Sequence, residues 1–222
     1  MTIRRKDRAR RDEAKAERRR AILDAAWAMY QTAPYHAITM AGVADRTQLA
    51  KGTIYLYFTT KEELFLQLMK DQLDAWFDEL DAALTARRFD AAGLAAQLAG
   101  SLAGRGGLVR LLAILHSVIE QNVEFEAALG FKQMLVRRMT RTGALLESSL
   151  GFLAAGDGAR LLLRIHALIV GLHSLAEPPP AIGDLLRERS EPGMDVLEID
   201  FDAEFAQTVQ ALLRGMEKSD NG

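Results

Sequence analysis

Residues 51–58 bring together side chains that could bind a polyanion. The Lys51 ammonium can pair with a phosphate, and the Thr53 hydroxyl can donate to a phosphate or to a base edge. The phenols of Tyr55 and Tyr57 offer two further donors close by. Because these donors follow one another so closely along the chain, the segment predicts contact with nucleic acid.

Helical elements around this segment would hold it against the rest of the protein. Ile54 and Phe58 are spaced to share one face of a helix, so they can anchor it to a core. Thr39 is a good N-cap for a preceding short helix that ends near Arg46. Two short helices in this order, with the second in a major groove about 12 Å wide, indicate a helix-turn-helix.

The remainder of the chain is also predicted to be helical. It holds 5 prolines among 222 residues, is rich in Ala, Leu, Arg and Glu, and lacks alternating β-branched runs. Thr60–Glu63 forms a capping box that opens a long helix, and Asp90 can cap the next helix. We therefore predict an all-α fold of about nine helices, in which a long helix joins a three-helix N-terminal domain to a C-terminal helical domain.

Charge and composition narrow the possible classes of protein. Residues 1–61 carry 13 Lys and Arg against 6 Asp and Glu, whereas residues 62–222 carry 15 against 24, as expected of a nucleic-acid-binding domain joined to a domain with another role. The absence of cysteine excludes disulfides, thiolate metal sites and cysteine nucleophiles. The N-terminus is too charged for a signal peptide, and no apolar run approaches about 18 residues. We expect a soluble, cytoplasmic protein without a membrane segment.

The order of residues from 51 to 64 follows a recurrent pattern. The chain reads KGTIYLYF, two spacer residues and KEEL, and Val43-Ala44 follows the capping Thr39. This resembles the TetR (tetracycline-repressor-like) family, whose pattern is K-G-T-x-Y-x-(Y/H)-F followed by K-E-x-L. The resemblance implies a ligand-responsive transcriptional regulator, most simply a repressor released from a palindromic operator by a small molecule.

The resemblance also implies a domain organisation and a set of partners. We predict a basic disordered arm over residues 1–11, a DNA-binding domain with its connecting helix over 12–85, and an effector-binding and dimerisation domain over 86–222. The predicted partners are double-stranded operator DNA, a second copy of the chain bound through the last two helices, and an unidentified effector. No cofactor, metal site or catalytic residue is predicted.

Eight residues are predicted to contact DNA. Tyr55 and Lys61 would mainly hold phosphates, and Thr39 would set the N-terminus of its helix against a phosphate. Arg18 belongs to a basic helix start that should cross the backbone, whereas the arm before it could track phosphates or be a solvated tail. The predicted contacts are Arg18, Thr39, Lys51, Gly52, Thr53, Tyr55, Tyr57 and Lys61.

The turn between the two short helices departs from the family pattern. It reads Thr47-Gln48-Leu49-Ala50, where the family usually has Ala-Gly-Val-Ser. Gln48 replaces a glycine that relieves a left-handed backbone, at a cost of about 1 kcal/mol. Ala50 removes a serine cap worth about 1 kcal/mol. Base readout is therefore less transferable from the family than the fold is.

The C-terminal part predicts a dimer interface and an apolar pocket. The eighth predicted helix is apolar nearly all round, so core and partner subunit would each cover one side. His166 and His173 lie about 10.5 Å apart along that helix, too far to share one metal ion without help from another helix, so satisfied buried or interface histidines are favoured over a metal site. Phe125 is a further candidate for the pocket. The predicted pocket residues are Trp76, Phe77, His116, Phe131, Met134, Leu135, Met139 and His166, and the alternative, ordinary core packing, would explain most of them.

Two other functional classes are less well supported by the sequence. The unusual turn favours, as the alternative, a helical small-molecule-binding or interaction protein that has kept the scaffold without specific DNA recognition. An enzyme would need a convergent polar site, and the sequence shows no triad, paired-carboxylate or zinc-protease spacing. The glycines at 104–107 and at 156–158 do not form nucleotide-binding loops, since no strand precedes them and no Walker lysine-serine/threonine pair is present. They predict breaks between helices.

Overall fold

The computed structural model describes residues 2–179, 182–184 and 193–220. Across these residues it is all-α, with no strand, which confirms the predicted fold class. A π-helical turn, Leu115–Ile119, continues α6, and the described residues form nine α-helices besides a short helical segment at 182–184. The helices are α1 (Thr2–Tyr30), α2 (Met40–Thr47), α3 (Lys51–Tyr55), α4 (Lys61–Ala86), α5 (Ala91–Leu102), α6 (Gly106–Ile114), α7 (Phe125–Leu150), α8 (Asp157–Ala176) and α9 (Phe201–Asp220).

The chain divides into two compact units. The first comprises residues up to Lys70 together with Ser117–Ala128, and the second comprises Asp71–His116 and the residues from Leu129 onward. The division therefore falls inside α4, whereas the sequence predicted that the whole of that helix, to residue 85, would belong to the first domain. The physical reason is that the later part of α4 places its apolar side chains in the core of the second unit.

Helix α1 is longer than the sequence predicted. Its backbone is helical from Thr2, where residues 1–11 were expected to form a disordered arm; Met1 lies outside the described residues. Six of residues 2–11 are Arg or Lys, which are strong helix formers and allow the helix to extend beyond its packed part. Packing begins later, where Ile22, Ala26 and Tyr30 are buried.

The first unit is built around one aromatic cluster. The Phe65 ring of α4 packs edge-on against Tyr30 and Tyr35, with centroids 5.3 Å and 4.8 Å away. Ile54 and Phe58, predicted to anchor the second short helix, are both buried. α2 therefore packs against α1 and α3 over an apolar core that orients the exposed faces of the two short helices.

The second unit packs α9 against α5 and α8, and α6 against α8. Helices α7 and α8 approach most closely at Gly143 and Gly158, where a β-carbon on Gly158 would overlap the Gly143 carbonyl oxygen. Only glycine allows two helix backbones to come this close. The close crossing brings the side chains of both helices to the same interior space.

Polar contacts attach α7 to α4 in the second unit. The Arg138 guanidinium reaches Asp74 at 2.7 Å and Asp78 at 2.6 Å, and it lowers the pKa of the Asp78 carboxyl through their hydrogen bond. One turn further on, the buried Thr142 hydroxyl donates to Asp81 at 2.5 Å. These contacts hold the two helices in register.

Candidate DNA-binding surface and effector cavity

The first short helix, α2, is capped at both ends. The Thr39 hydroxyl accepts a hydrogen bond from the Gly42 N–H at 3.0 Å, as predicted for an N-cap. At the other end Gln48 adopts a left-handed backbone, with φ 56° and ψ 28°, and the Leu49 N–H donates to the Ala44 carbonyl. Gln48 therefore occupies the conformation that the family's glycine would relieve.

The second short helix, α3, presents its polar side chains outward. Lys51 and Gly52 are exposed, and Tyr55 is 43% exposed. Thr53 and Tyr57 are half-buried. Ala50 occupies the N-cap position and provides no side-chain hydrogen bond, as the sequence predicted.

Leu56 lies on the same exposed part of the chain and was not predicted to take part in the site. It is 81% exposed, which places a large apolar side chain next to the donors of α3. An apolar side chain on a groove-facing helix can contact a thymine methyl group. Only the position of Leu56 within the motif pointed to this exposure. The family pattern allows any residue at that position, so it does not single out Leu56.

Lys61 has a different environment from the one predicted. Its ammonium donates to the backbone carbonyls of Tyr35 and Ile38, at 2.8 Å and 2.9 Å, and lies 3.8 Å from the centre of the Tyr35 ring. Burial lowers the pKa of the Lys61 ammonium, and Glu62 partly offsets this. The side chain expected to hold a phosphate therefore closes the loop before α2 onto the start of α4.

The start of α4 carries the predicted capping box with one change. The Glu63 N–H donates to the Thr60 hydroxyl at 3.1 Å, as expected. The Glu63 carboxylate, however, accepts from the Thr59 N–H at 2.9 Å and from the Thr59 hydroxyl at 2.6 Å rather than reaching the Thr60 N–H. The Glu63 contact with Thr59 still joins the segment after α3 to the start of α4.

Arginines of α1 lie beside this surface. Arg18 and Arg20 are exposed. The Arg19 guanidinium lies 5.0 Å from the centre of the Phe58 ring, so it packs on the residue that ends the motif. Arg18 is thus available to a phosphate, while Arg19 links α1 to the segment after α3.

A second feature, in the other unit, is an apolar cavity of about 140 Å³ among α4, α6, α7 and α8. Seven of the eight residues predicted for a pocket line it. Met134 is buried but does not line it, and Phe125 lies in the first unit and is 73% exposed. The lining residues are Leu73, Trp76, Phe77, Leu112, Leu115, His116, Phe131, Lys132, Leu135, Met139, Leu162, Leu163, Ile165, His166 and Ile169.

Two histidines meet at this cavity. The Nε2 atoms of His116 and His166 are 3.4 Å apart, with the rings edge-to-face. His173 lies elsewhere, against Phe201 and near Glu177, and burial lowers its pKa. Within the described part of the chain, no three His, Cys, Asp or Glu side chains converge as a metal site would require.

Family models match nearly all of this architecture. The model described as "Bacterial regulatory proteins, tetR family" matches residues 22–68, and the model described as "Tetracyclin repressor-like, C-terminal domain" matches residues 70–220. The chain belongs to the TetR family. The resemblance inferred from residues 51–64 is therefore confirmed, and the first match covers α2, the turn and α3 of this TetR-family protein.

Individual relatives match a shorter part of the chain. The HTH-type transcriptional repressor KstR of Mycobacterium tuberculosis is 41% identical over 70 residues, which are 32% of this chain and 30% of that protein. The fatty acid metabolism regulator protein of Bacillus subtilis is 32% identical over 60 residues, covering 27% of this chain and 31% of the relative. The TetR-family chain thus matches only about a third of the length of these relatives.

Solved structures share the fold over most of the length. FadR from Bacillus subtilis in complex with stearoyl-CoA is 20% identical, covers 87% of this chain and 96% of its own, and has a TM-score of 0.54. A putative regulator from Saccharomonospora viridis in complex with choline is 18% identical, covers 90% and 96%, and has a TM-score of 0.53. At these identities the likeness shows the all-α two-domain fold of TetR-family proteins.

Proposed function

We propose that this TetR-family protein is a ligand-responsive transcriptional repressor, released from a palindromic operator by a small, mostly apolar effector. The observation that carries the proposal is the exposed face of α3, where Lys51, Gly52 and Tyr55 are accessible beside the capped α2. The apolar cavity in the second unit supports the effector part. The relative KstR is named an HTH-type transcriptional repressor, which agrees with repression.

The DNA-binding mode follows from the side chains that are accessible. Lys51, Thr53 and Tyr57 would face base edges and nearby phosphates, while Tyr55 and Arg18 would hold the backbone. The N-terminus of α2, capped by Thr39, would meet a phosphate through its backbone N–H groups. Lys61 would contribute by positioning these elements.

A twofold dimer would use α8 and α9. α8 is apolar and long enough, by length and composition, to cross a membrane, yet only 22% of that stretch is buried within one subunit. Leu163 and Leu175 are 59% and 60% exposed. An exposed apolar surface of this extent is favourably buried against another protein, and we propose that a second subunit buries it. The resulting dimer would place two recognition helices about 34 Å apart. Such a dimer would act in the cytoplasm, where operator DNA lies.

Effector binding would act by selecting between dimer arrangements. The effector would bind more tightly to the arrangement in which the recognition helices are spaced wrongly for DNA, and it would thereby lower operator affinity. Operator DNA would lower effector affinity by the same factor. Couplings of this kind are typically about 1–3 kcal/mol. The effect would therefore be a decrease of about 5–150-fold in operator affinity.

Operator selection from random DNA, followed by gel-shift titration, tests the DNA-binding part. Lys51→Ala and Tyr55→Ala should each weaken binding to the selected operator at least tenfold while the dimer stays folded, since each removes an exposed contact of α3. Arg137→Ala, which removes an exposed cation from α7, is the matched control and should bind as the wild type does. Unchanged affinity in both α3 variants would contradict the assigned surface.

The alternative function is a helical binding or interaction protein without specific DNA recognition. The left-handed Gln48 and the uncapped Ala50 favour it, because both weaken the geometry of the turn before α3. A folded dimer that enriches no sequence from random DNA at low salt would support this alternative and contradict the repressor proposal.

A further inference from the structure

The polar side chains around the cavity are few and nitrogen-bearing. Apart from the indole of Trp76, which donates to Ser101 at 2.8 Å, they are His116, His166 and Lys132. No carboxylate lines the cavity. An apolar space whose ionisable groups are all capable of positive charge favours a ligand with one negative group over a neutral or cationic ligand.

The two imidazoles lie against each other at the cavity. His116 is the second residue of the π-helical turn after α6 and His166 lies in α8, and their Nε2 atoms are 3.4 Å apart, within hydrogen-bond distance. A carboxylate that replaces this contact can accept a hydrogen bond about 2.7–2.9 Å long from each ring when both rings carry a proton on Nε2. π-helical turns are frequent at functional sites.

We infer that the cavity binds a monocarboxylic acid with an apolar body about the size of a benzene ring, and that His116 and His166 hold its carboxylate. Only the expected consequence of binding, release from the operator, rests on the proposed function. Binding itself depends on the cavity and the histidine pair.

The volume of the cavity sets the size of the apolar body. About 140 Å³ is close to the roughly 150 Å³ of an engineered apolar cavity that binds benzene. Pockets that enclose larger drug-sized ligands have volumes of about 300–1,000 Å³. A single ring or a short branched chain therefore fits the cavity, whereas a long acyl chain does not.

A metal ion is the competing occupant of the histidine pair. Two zinc-bound nitrogens, each about 2.0–2.1 Å from the ion, would also lie near 3.4 Å from each other. A stable zinc site needs a third protein ligand, and none of the described His, Cys, Asp or Glu side chains completes such a group here. The apolar lining and Lys132 agree with an organic anion instead.

Fluorescence titration of the full-length protein tests the inference directly. The chain has two tryptophans, so Trp27→Phe leaves Trp76, in the cavity wall, as the only reporter. Benzoate is the probe, and benzamide, which has the same ring and shape without the charge, is its control. We expect saturable binding of one benzoate per subunit and at least tenfold weaker binding of benzamide.

Variants of the histidines separate the carboxylate site from general apolar binding. His116→Gln and His166→Gln should each weaken benzoate binding at least tenfold and leave benzamide binding unchanged. His173→Gln, on the same helix α8 but outside the cavity, should bind benzoate as the wild type does. Equal affinity for the two probes, or no response to either histidine change, would overturn the inference.

Two further measurements distinguish the remaining outcomes. If benzoate binding is lost in EDTA and restored by zinc, the pair is a metal site and the inference is wrong. If none of benzoate, phenylacetate and cyclohexanecarboxylate binds the folded protein, it is wrong as well. Operator gel shifts are run separately, so loss of DNA binding would contradict the proposed repressor while leaving the acid-binding result to stand.

Discussion

Replacing Gly143 by alanine should destabilise the protein, although the same change elsewhere in α7 should stabilise it. A β-carbon at position 143 would lie 2.6 Å from the backbone nitrogen of Ala159 and 3.1 Å from its Cα. Both neighbours are backbone atoms of α8, so no flexible side chain can move aside. α8 would have to shift outward by several tenths of an ångström along the crossing that supports the cavity.

The magnitude follows from two opposing terms. Alanine in a helix interior is favoured over glycine by about 0.5–1 kcal/mol. Overpacking a close crossing costs about 1–3 kcal/mol, and the backbone contacts here favour the upper part of that range. The net loss at Gly143 should be about 1–2 kcal/mol. At Gly130, where a β-carbon meets nothing within 4 Å, alanine should instead gain up to about 1 kcal/mol.

Thermal unfolding of the two variants at one protein concentration measures the difference. For a chain of this size 1 kcal/mol corresponds to about 2–4 °C in Tm, so Gly143→Ala should melt about 2–8 °C below the wild type and Gly130→Ala at or above it. If Gly143→Ala were as stable as Gly130→Ala, the helices would be free to adjust, and the close crossing would not determine the shape of the cavity.

Two other predictions concern the turn and a partly buried histidine. Gln48→Gly should raise the free energy of unfolding by up to about 1 kcal/mol, because glycine adopts the left-handed backbone at position 48 without the steric cost; no gain in urea unfolding would mean that the strain is absorbed elsewhere. Burial lowers the pKa of His173 below 6.5; Glu177 opposes this shift and Arg110 adds to it. The folded state thus favours the neutral imidazole, and stability should fall as the pH drops through 6.5 towards that lower pKa, a dependence that His173→Gln should reduce.

Local features of the site could be predicted from the sequence, since they depend on neighbouring residues. The N-cap at Thr39, the left-handed Gln48 and the missing cap at Ala50 all follow from residue type at a fixed position in a motif. The burial of Ile54 and Phe58 follows from helical spacing. Each of these features required only the pattern of one short segment.

Features that depend on tertiary packing could not be predicted in the same way. His116 and His166 are separated by 50 residues, and only the packing of α6 against α8, with the π-helical turn, brings their rings together. Lys61 carries the residue type of a phosphate contact, but the loop at 35–38 folds over it and presents two carbonyl oxygens. Nothing in the local pattern specifies that fold of the loop.

The weak turn before α3 and the contacts that Lys61 makes within the protein together determine how α3 is held. With Gln48 strained and Ala50 uncapped, local structure alone holds α3 less firmly than a glycine and a serine would, by about 1 kcal/mol at each position. Contacts from distant parts of the first unit compensate: Arg19 packs on Phe58, and Lys61 joins the loop before α2 to α4. The orientation of α3 therefore depends on α1 and α4 more than on its own turn, so base readout should be as sensitive to changes at Arg19 and Lys61 as to changes within the turn.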